Sequence, residues 1–496
     1  MNTTVLDPPQ VQREASHPTA AQRYREERER YWDEFAESLG SQSLDHWQRI
    51  SGYYRRRLAE IYKQLVPPKM RVLELGCGQG DLLAALEPSR GVGIDLSGKM
   101  LERARERYPD FQFFHGDVHD ALPAEKFDFI IVSDLLNDVR DVQGILGLLA
   151  QCSLASTRVI LNVYSRLWQG PRWAAAMMGA AKVQLDQNWL SRKDLENLLC
   201  LAGFETIRAF SEIMWPFKTP GLDTLCNRYL VKISPFSWLG LTNFIVARPH
   251  PNSLPAQQPP VSVVIPARNA ADNIRRIFEE TPEMGYGTEL IFVEGNSIDN
   301  TYETIEQEIR RWPNRRVKLL RQSGEGRADA LRLGFAHADG DVLMTLDANL
   351  TVSPQDLPRF YEACYSGKGE LVNGVRLVYP TDGASIGFAK VIGYKFFSLA
   401  FSWLLGQNMK DTLCGTKVLC KRDYETIAAN RAYFGDLDPS GDFDLLFGAA
   451  KYGLKIVDLP IRCHRAADAT ATVEHWKRAW LLLKMVGTAM RKIKFV

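Results

Sequence analysis

Short apolar runs alternate with longer amphipathic stretches along most of the chain, a pattern typical of parallel β-strands connected by helices. The alternation occurs twice. The first series runs from the segment Arg71–Leu75 (RVLEL) to the segment Leu241–Ala247 (LTNFIVA), and the second begins at Val261–Ile265 (VSVVI). The pattern therefore predicts an α/β protein with two domains, each built around its own sheet.

The boundary between the two series is residues 249–260, PHPNSLPAQQPP. This segment has five prolines and no apolar run, which is the composition of an extended spacer. We expect residues 1–20 to be a disordered tail, 21–248 the first domain, 249–260 a linker and 261–496 the second domain. The charged stretch Ala21–Gly40 reads as a solvated surface helix.

Composition narrows the class of protein. The net charge is only +2, so nothing points to nucleic acid as a partner. The chain has no run of about twenty uncharged apolar residues, and its first residues lack the apolar core of a secretory signal, so we expect a cytosolic protein. The eight cysteines occur without a CxxC pair, which argues against a zinc site and against a disulfide framework.

The first domain contains a glycine-rich turn directly after its first strand. The turn Gly76-Cys77-Gly78-Gln79-Gly80 leads into a helix, and such strand–turn–helix units let a ligand approach the backbone at the end of a parallel sheet. The next strand ends at Asp95, which is placed to accept hydrogen bonds from ribose hydroxyls. The third strand is followed by Asp117, which could accept from an adenine amino group. These positions predict a nucleoside-containing ligand.

The segments VLELGCGQG, GIDLS, GDV and FDFIIVSDLL together resemble class I S-adenosylmethionine-dependent methyltransferases, over nearly all of residues 50–248. The resemblance implies S-adenosylmethionine as the cofactor. It also implies cofactor contacts from Glu74, Gly76, Gly78, Asp95, Leu96, Asp117 and Val118. A Rossmann-like domain with no ligand in its crevice is the alternative.

The methyl acceptor cannot be read from the sequence. Many members of this class have a histidine shortly after the fourth strand, where this chain has Asn137. His115, His119 and Tyr164 are the remaining candidates for a general base, and each has a structural role as its alternative. The aromatic stretch Tyr164–Trp173 lines the acceptor site or packs in the core.

The second domain shows the motifs VVIPARN, VEGNSIDNT, GEGRADALRLGFAHADGDVLMTLDAN, NGVRL, DTLCGTK and GDFDLL. In their order and spacing they resemble inverting family 2 glycosyltransferases of the GT-A fold, closest to the polyprenyl-phosphate sugar synthases. The resemblance implies that a nucleotide-sugar is bound by Pro266, Arg268, Asn269, Glu294, Asp299, Arg327, Asp347, Arg376 and Arg465. The polyprenyl phosphate or a glycan would be the acceptor.

Asp347 stands where the metal motif of this family begins, and Asn349 stands where a second aspartate is usual. The pair implies a magnesium or manganese site with one negative charge fewer, so we expect weak metal affinity rather than none. Asp411 and Asp444 match acidic positions on the acceptor side and would serve as the catalytic base for a sugar hydroxyl. Their alternative role is a loop cap or a salt bridge.

Two stretches suggest a membrane surface. Phe388–Leu405 is apolar and aromatic but carries two lysines, and Trp476–Val496 combines an apolar face with six basic residues. A packed helix is the alternative for each. The sequence as a whole predicts a bifunctional enzyme on the cytosolic face of a membrane, a methyltransferase joined to a glycosyltransferase. The rival hypothesis is a non-catalytic nucleotide- or lipid-binding scaffold in the second half.

Overall fold

The computed structural model describes residues 19–38, 42–120, 122–177, 185–251, 258–376, 388–433, 441–461 and 472–496. Residues 1–18 of the predicted tail, residues 252–257 of the predicted linker and Arg465 lie outside these ranges. Within them the chain forms two seven-stranded sheets, as the alternating pattern predicts, but both are mixed rather than parallel, because each contains one strand that runs antiparallel to its neighbours.

The first sheet has the strand order β3-β2-β1-β4-β5-β7-β6, in which β7 runs antiparallel to both of its neighbours. Its strands are β1 (Arg71–Leu75), β2 (Arg90–Asp95), β3 (Gln112–His115), β4 (Phe127–Ser133), β5 (Ser153–Tyr164), β6 (Phe204–Glu212) and β7 (Thr242–Pro249). Its helices are α1 (Ala20–Ser38), α2 (Gln42–Leu65), α3 (Asp81–Ala85), α4 (Gly98–Arg107), α5 (Val142–Leu149), α6 (Gln169–Met177), α7 (Arg192–Leu201) and α8 (Leu222–Thr224).

The central strands are buried on both faces, because helices cover the sheet from both sides. Val72 and Leu73, which point to opposite faces of β1, are both fully buried. Polar side chains fix the helix starts. Ser97 accepts a hydrogen bond from the backbone N of Met100 at the start of α4. Because β1, β2, β4 and β5 are parallel, their carboxyl ends meet along one edge of the sheet.

The second sheet has the order β10-β9-β8-β11-β13-β12-β14, in which β13 is antiparallel to β11 and β12. Its strands are β8 (Val261–Ala267), β9 (Thr288–Glu294), β10 (Arg316–Arg321), β11 (Val342–Thr345), β12 (Leu371–Val375), β13 (Lys417–Cys420) and β14 (Ile456–Pro460). Its helices are α9 (Ala271–Glu280), α10 (Thr301–Arg311), α11 (Gly326–Ala336), α12 (Leu357–Tyr365), α13 (Phe388–Leu405), α14 (Lys421–Ala429), α15 (Asp442–Lys451) and α16 (Thr472–Ala489).

The solvated surface helix expected at Ala21–Gly40 is instead docked on the first domain. Arg28 of α1 is buried, donates from Nε to the backbone O of Asp138 over 3.0 Å and donates from Nη2 to the backbone O of Asp186 over 2.7 Å. Trp32 donates from Nε1 to Oδ2 of Asp138 over 2.9 Å. The charge pattern alone was misleading, because one arginine of the run makes buried hydrogen bonds.

A buried ion-pair cluster joins the two domains. Arg158 of β5 donates from Nη2 to both carboxylate oxygens of Glu370 at 2.7 Å, and its Nε donates to the backbone O of Gly453. Arg248 of β7 lies 3.2 Å from the same carboxylate. The side chains of both arginines are at most 4% exposed. The two sheets therefore share a tightly packed polar interface.

None of the helices in the described part of the chain has the length and apolar character needed to cross a membrane. α13 and α16, which carry the two stretches read as membrane-facing, pack on the second domain through buried side chains such as Phe401, Leu405 and Met485.

Candidate active sites

The glycine-rich turn of the first domain lies at the carboxyl end of β1. Gly76 and Gly78 have φ angles of +72° and +51°, which favour glycine. A Cβ atom on Gly76 would come within 3.0 Å of the Leu135 side chain. Glycine here therefore allows the turn to lie against the end of β4 and leaves the backbone accessible to a ligand.

Glu74 and Asp95 lie beside this turn. In the described part of the chain, the Oε2 atom of Glu74 is buried without a hydrogen-bond partner. Burial raises the pKa of Glu74 well above its ordinary value. Asp95 accepts hydrogen bonds from the backbone N of Gly78 at 2.7 Å and of Ser97 at 2.9 Å. A buried acceptor with no partner beside an accessible backbone turn fits a ligand such as S-adenosylmethionine, which carries an ammonium group.

Leu96, Asp117 and Val118 follow at neighbouring strand ends. The backbone O of Leu96 contacts Nε2 of His115 at 2.9 Å, and Val118 is buried. Asp117 accepts from Nδ1 of His119 at 2.6 Å, while Nε2 of His119 accepts from the backbone N of Asp141. His115 and His119, the two histidines considered as bases, are therefore both hydrogen-bonded to groups near these strand ends.

Asn137, which replaces the histidine of many methyltransferases, is a structural residue here. It is fully buried, donates from Nδ2 to the backbone O of Asn188 over 2.7 Å and accepts from the backbone N of Tyr164 at 3.0 Å. Both ends of its side chain are therefore used to connect loops.

A carboxylate–tyrosine cluster lies at the carboxyl ends of β4 and β5. Asp134 accepts from the hydroxyls of Tyr54 and Tyr164 at 2.8 Å and 3.2 Å and from Nδ2 of Asn162 at 2.5 Å. The two tyrosine rings are stacked with their centroids 6.0 Å apart. Burial raises the pKa of Asp134, and burial together with the Asp134 charge raises the pKa of Tyr164. We call these four residues the acceptor cluster.

The acceptor cluster neighbours the glycine-rich turn, because Leu135, which contacts Gly76, directly follows Asp134. Asp134 has a φ of +54°, a strained value for a residue other than glycine. Tyr164 was among the candidate bases, whereas Tyr54 and Asn162 were missed by sequence reasoning. Asn162 faces Asp134 through register alone, since it pairs with Ser133 across β4 and β5.

The second domain gathers its loops at the carboxyl ends of β8 and β9. Glu294 is buried and accepts from the backbone N of Ser297 at 2.5 Å. Asn269, with φ +52°, accepts from the backbone N of Ile298 at 2.9 Å. Asp299 accepts from the backbone N and the hydroxyl of Thr301 at the start of α10, contacts that lower its pKa. Pro266 and Arg268 lie at the end of β8.

Charged side chains from α11, β11, β13 and α15 meet in one network. Arg327 donates from Nε to Oδ1 of Asp347 at 3.0 Å and from Nη1 to Oδ1 of Asp442 at 3.1 Å. Lys417 is fully buried and donates to the same oxygen of Asp442 at 3.0 Å. Burial alone would raise the pKa of Asp442, but the charges of Arg327 and Lys417 outweigh it and hold that pKa below its ordinary value.

Asp442 and Lys417 were missed by the sequence analysis, which selected Asp444 from the same motif. Asp444 lies in a separate network, where its Oδ2 is 2.9 Å from Nη2 of Arg332 and 2.9 Å from Nε of Arg431. The position of Lys417 follows from strand direction. Lys417 is the first residue of β13, which runs antiparallel to β11. It therefore lies beside the carboxyl end of β11.

Asp411 and Arg376 form a second ion pair at this edge. Nε of Arg376 lies 2.8 Å from Oδ2 of Asp411, and Nη2 lies 3.1 Å from Oδ1. Burial alone would raise the pKa of Asp411, but Arg376 outweighs it and keeps that pKa below its ordinary value. Asp411 therefore holds the arginine in place as an ionised carboxylate.

A divalent cation would find few protein ligands here. Asp347 supplies one carboxylate, already bonded to Arg327, and Asn349 supplies one exposed amide. Among the residues that the structure describes, no three His, Cys, Asp or Glu side chains are grouped so as to hold a metal ion. Carboxylate and amide oxygens suit magnesium and manganese, but two of them leave most coordination positions to the substrate or water.

Comparison with known proteins finds a family profile that matches part of each half. The profile of a methyltransferase domain matches residues 46–209, and the profile of glycosyl transferase family 2 matches residues 262–425. The chain is 26% identical over 254 residues to a dolichol-phosphate mannosyltransferase of Pyrococcus furiosus, covering 47% of this chain and 67% of that protein.

Two further matches concern one half each. An undecaprenyl-phosphate 4-deoxy-4-formamido-L-arabinose transferase of Edwardsiella ictaluri is 34% identical over 111 residues, which cover 22% of this chain and 34% of that protein. A crystal structure of a SAM-dependent methyltransferase from Thermotoga maritima, possibly a histamine N-methyltransferase, matches with 18% identity and a TM-score of 0.34. The match covers 44% of this chain and 98% of that one.

Proposed function

The chain joins a methyltransferase domain to a glycosyl transferase family 2 domain, and from this premise we propose that it is a bifunctional enzyme with two separate active sites. One site transfers a methyl group from S-adenosylmethionine to a small-molecule, glycan or lipid acceptor. The other transfers a sugar from a nucleotide-sugar, with inversion, to a polyprenyl phosphate or a glycan. The domains span residues 21–248 and 261–496.

The observation that carries the proposal is the pair of side-chain clusters, each at the carboxyl edge of its own sheet. Open α/β sheets bind ligands at this edge. In the first cluster the accessible turn at Gly76 and Gly78 lies beside the unpartnered Oε2 of Glu74. In the second, the guanidinium of Arg327 lies at the end of β11, where it is paired with Asp347 and Asp442 and would exchange these carboxylates for phosphate oxygens. A diphosphate needs such positive charge.

In the first site Asp95 would bind the ribose hydroxyls, Asp117 and Val118 the adenine, and Glu74 the methionine end of the cofactor. S-Adenosylmethionine supplies an activated methyl group. The acceptor cluster would orient the acceptor, because methyl transfer depends mainly on alignment of the two reactants. Asp134 would receive the proton that a hydroxyl or amine acceptor loses, since a carboxylate with a raised pKa holds a proton well.

In the second site Glu294 and Asp299 would bind the nucleoside, and Arg327 would face the diphosphate. Guanidinium groups match phosphate oxygens in charge and shape. Arg376, held by Asp411, would bind phosphate oxygens of donor or acceptor. A phosphate acceptor is already ionised and needs no strong base, so the buried Asp411 would act by positioning Arg376.

Asp347 and Asn349 would be the protein ligands of a magnesium or manganese ion, with the diphosphate supplying other oxygens. Such an ion would neutralise charge on the leaving diphosphate. We expect low affinity, because Asn349 is neutral and Asp347 is bonded to Arg327. The same two features favour one second candidate: a glycosyltransferase half that binds nucleotide or lipid without transferring sugar.

The acceptor side would lie on a membrane surface. The curated relatives named above act on undecaprenyl phosphate and dolichol phosphate, and α13 exposes Phe396 and Leu399 to solvent. We therefore propose peripheral association with the cytosolic face of a membrane. Joining the two enzymes would be useful if the product of one were the substrate of the other.

A transfer assay tests the proposal. The full chain is incubated with undecaprenyl phosphate in detergent, manganese and a panel of radiolabelled nucleotide-sugars, and lipid-extractable label is counted. One sugar should be transferred by the parent and not by Arg327→Ala. Nucleotide-sugar binding without transfer of any sugar in the panel would favour the scaffold.

A further inference from the structure

The connection between β6 and β7 exposes an unusual number of large apolar side chains. Trp238 is 71% exposed, Leu239 51% and Leu225 50%. The other exposed members of this segment are Phe217, Leu222, Tyr229, Ile233 and Phe236. Single exposed apolar residues are ordinary, whereas eight within residues 216–239 form a patch that calls for a ligand. We refer to residues 216–239 as the apolar connection.

Polar anchors hold the apolar connection against the domain. Asn227 is buried, accepts from the backbone N of Trp215 at 2.7 Å and donates to the hydroxyl of Tyr53 at 3.0 Å. Trp168 donates from Nε1 to the backbone O of Leu239 over 2.9 Å. The segment is therefore a built feature whose polar groups face inward while its apolar side chains face outward.

The charge of the apolar connection is one-sided. Its single carboxylate, Asp223, is 2% exposed and lies 3.1 Å from Nζ of Lys218. Lys218 and Arg228 are exposed, so only cations accompany the apolar side chains at the surface. A surface of aromatic and aliphatic side chains with cations and no exposed carboxylate is complementary to an anionic lipid bilayer.

The apolar connection is continuous with the helices of the second domain. Arg228 donates from Nε to the backbone O of Phe495 over 2.8 Å, and the rings of Tyr229 and Phe495 are 5.3 Å apart. Trp403 of α13 donates from Nε1 to the backbone O of Lys232 over 3.1 Å. The connection therefore adjoins α13 and the segment that follows α16.

Those helices carry the same kind of surface. α13 exposes Phe396 and Leu399 next to Lys395, and α16 exposes Trp480 and Leu483 next to Lys484. Residues 388–405 and 475–496 contain no aspartate or glutamate. Three adjoining segments from two domains thus combine exposed apolar side chains with exposed basic residues, although α16 also contains Glu474 in its first turn.

We propose that the apolar connection is a lipid-binding surface of the methyltransferase domain, which contacts an anionic bilayer together with α13 and α16. The proposal rests on the membrane association given under the proposed function and extends it to the other half of the chain. The connection contacts Tyr53, and the adjacent Tyr54 belongs to the acceptor cluster. The methyl acceptor would therefore reach its site from the lipid surface, as proposed above for the sugar acceptor.

Vesicle sedimentation of the full chain tests this surface. Binding is measured on phosphatidylcholine vesicles with and without phosphatidylglycerol, for the parent, for the double variant Trp238→Ser/Leu239→Ser and for Phe396→Ser/Leu399→Ser. Each double variant removes two large apolar side chains from the surface, so it should weaken binding to the anionic vesicles at least about tenfold. Leu201→Ser, at a 61% exposed position on α7, is the matched control and should bind like the parent.

The outcomes separate the two claims. If only the α13 variant loses binding, the apolar connection is not a lipid surface, whereas the association through the second domain stands. If the parent does not sediment with anionic vesicles, both claims fail and the patch is left to a protein partner. Circular dichroism confirms that each variant is folded. Loss of binding in both double variants, with the control unaffected, is the result the proposal requires.

Discussion

Arg327 donates a hydrogen bond from its Nε to Oδ1 of Asp347 over 3.0 Å, so the only carboxylate expected to bind a metal is already paired with a cation of its own domain. The same guanidinium also bonds Asp442 and the backbone O of Gly415. Arg327 is therefore charge-compensated by carboxylates of its own domain and would have to exchange them for phosphate oxygens in order to bind a diphosphate. The balance between this arginine and a metal ion is open to measurement.

The metal site should be weak and repairable. Asn349→Asp adds a second carboxylate and should lower the manganese concentration that gives half-maximal sugar transfer, by about tenfold, since one extra charged ligand contributes on the order of 1.4 kcal/mol. Asp347→Ala should remove activity. Turnover is measured against manganese concentration at saturating nucleotide-sugar. Full activity in Asp347→Ala would contradict the assignment, and activity only in Asn349→Asp would identify the parent as a scaffold.

Much of this site could be predicted from sequence, but side-chain direction could not. Asp442 and Asp444 belong to one motif, from which the sequence analysis selected only Asp444. On a helix, two positions differ by about 200°, so the two carboxylates face different neighbours. The structure turns Asp442 toward Arg327 and Lys417 and turns Asp444 toward Arg332 and Arg431.

The two sheets and their strand ends follow from local pattern, whereas the contacts that complete the sites are long-range. Asn162 lies 28 residues from Asp134, and Tyr54 lies 80 residues from it. No periodic pattern in the sequence predicts such long-range contacts. Arg28 is a similar case, because only the fold shows that one residue of a charged helix is buried.

The acceptor cluster should affect methyl transfer without affecting the cofactor. Asp134→Asn keeps the shape but removes the proton acceptor, and we expect a loss of about 100-fold or more in methyl transfer, within the range for general acid–base catalysis. Binding of S-adenosylhomocysteine should stay within twofold, measured by calorimetry. The control is Asp138→Asn, which replaces a nearby carboxylate that is bonded to α1.

Weakened S-adenosylhomocysteine binding in Asp134→Asn would show that this carboxylate supports the cofactor site rather than the acceptor. Equal methyl transfer by parent and variant on every acceptor tested would contradict its proposed role. Tyr164→Phe offers a milder test, because it removes a single 3.2 Å hydrogen bond to Asp134.

The domain interface should depend on Glu370. Burial alone would raise the pKa of this carboxyl, but Arg158 and Arg248 outweigh it and keep the pKa low. Glu370→Gln leaves the buried Arg158 without its counter-charge and leaves Arg248 with Glu205, and it should destabilise the chain by about 3–5 kcal/mol. Urea denaturation measures the change, with the exposed Glu362→Gln as control.

A chain cleaved by a protease site placed in residues 252–257 gives a second readout. The two halves should fold and stay associated in gel filtration, and Glu370→Gln should separate them. Coelution of the halves in the variant would show that the ion-pair cluster contributes little to the interface.

Stability should rise with pH in the weakly alkaline range. Burial, followed by the charge of Arg208, lowers the pKa of Lys494 to about 8. Unfolded lysine keeps its proton up to about pH 10.4, so between about pH 8 and that value the unfolded state binds more protons and stability increases with pH.

Lys494→Met should reduce this gradient, to which Lys451 also contributes because burial lowers its pKa to about 8, and it should raise the free energy of unfolding near neutral pH by up to about 3 kcal/mol. The urea midpoint is compared at about pH 8 and about pH 9.5, with the exposed Lys484→Met as control. A gradient of parental size in the Lys494 variant would show that other groups cause it.

Two independent active sites on one chain are the central claim, and ligand-induced thermal stabilisation tests it most directly. S-Adenosylhomocysteine and a panel of nucleoside diphosphates are added separately to the parent, Asp95→Ala and Arg327→Ala, because a ligand that binds only the folded state raises its Tm. We predict that Asp95→Ala loses the response to S-adenosylhomocysteine and keeps that to one nucleoside diphosphate, and that Arg327→Ala does the reverse. A parent that responds to only one class of ligand, or a single substitution that removes both responses, would contradict the account.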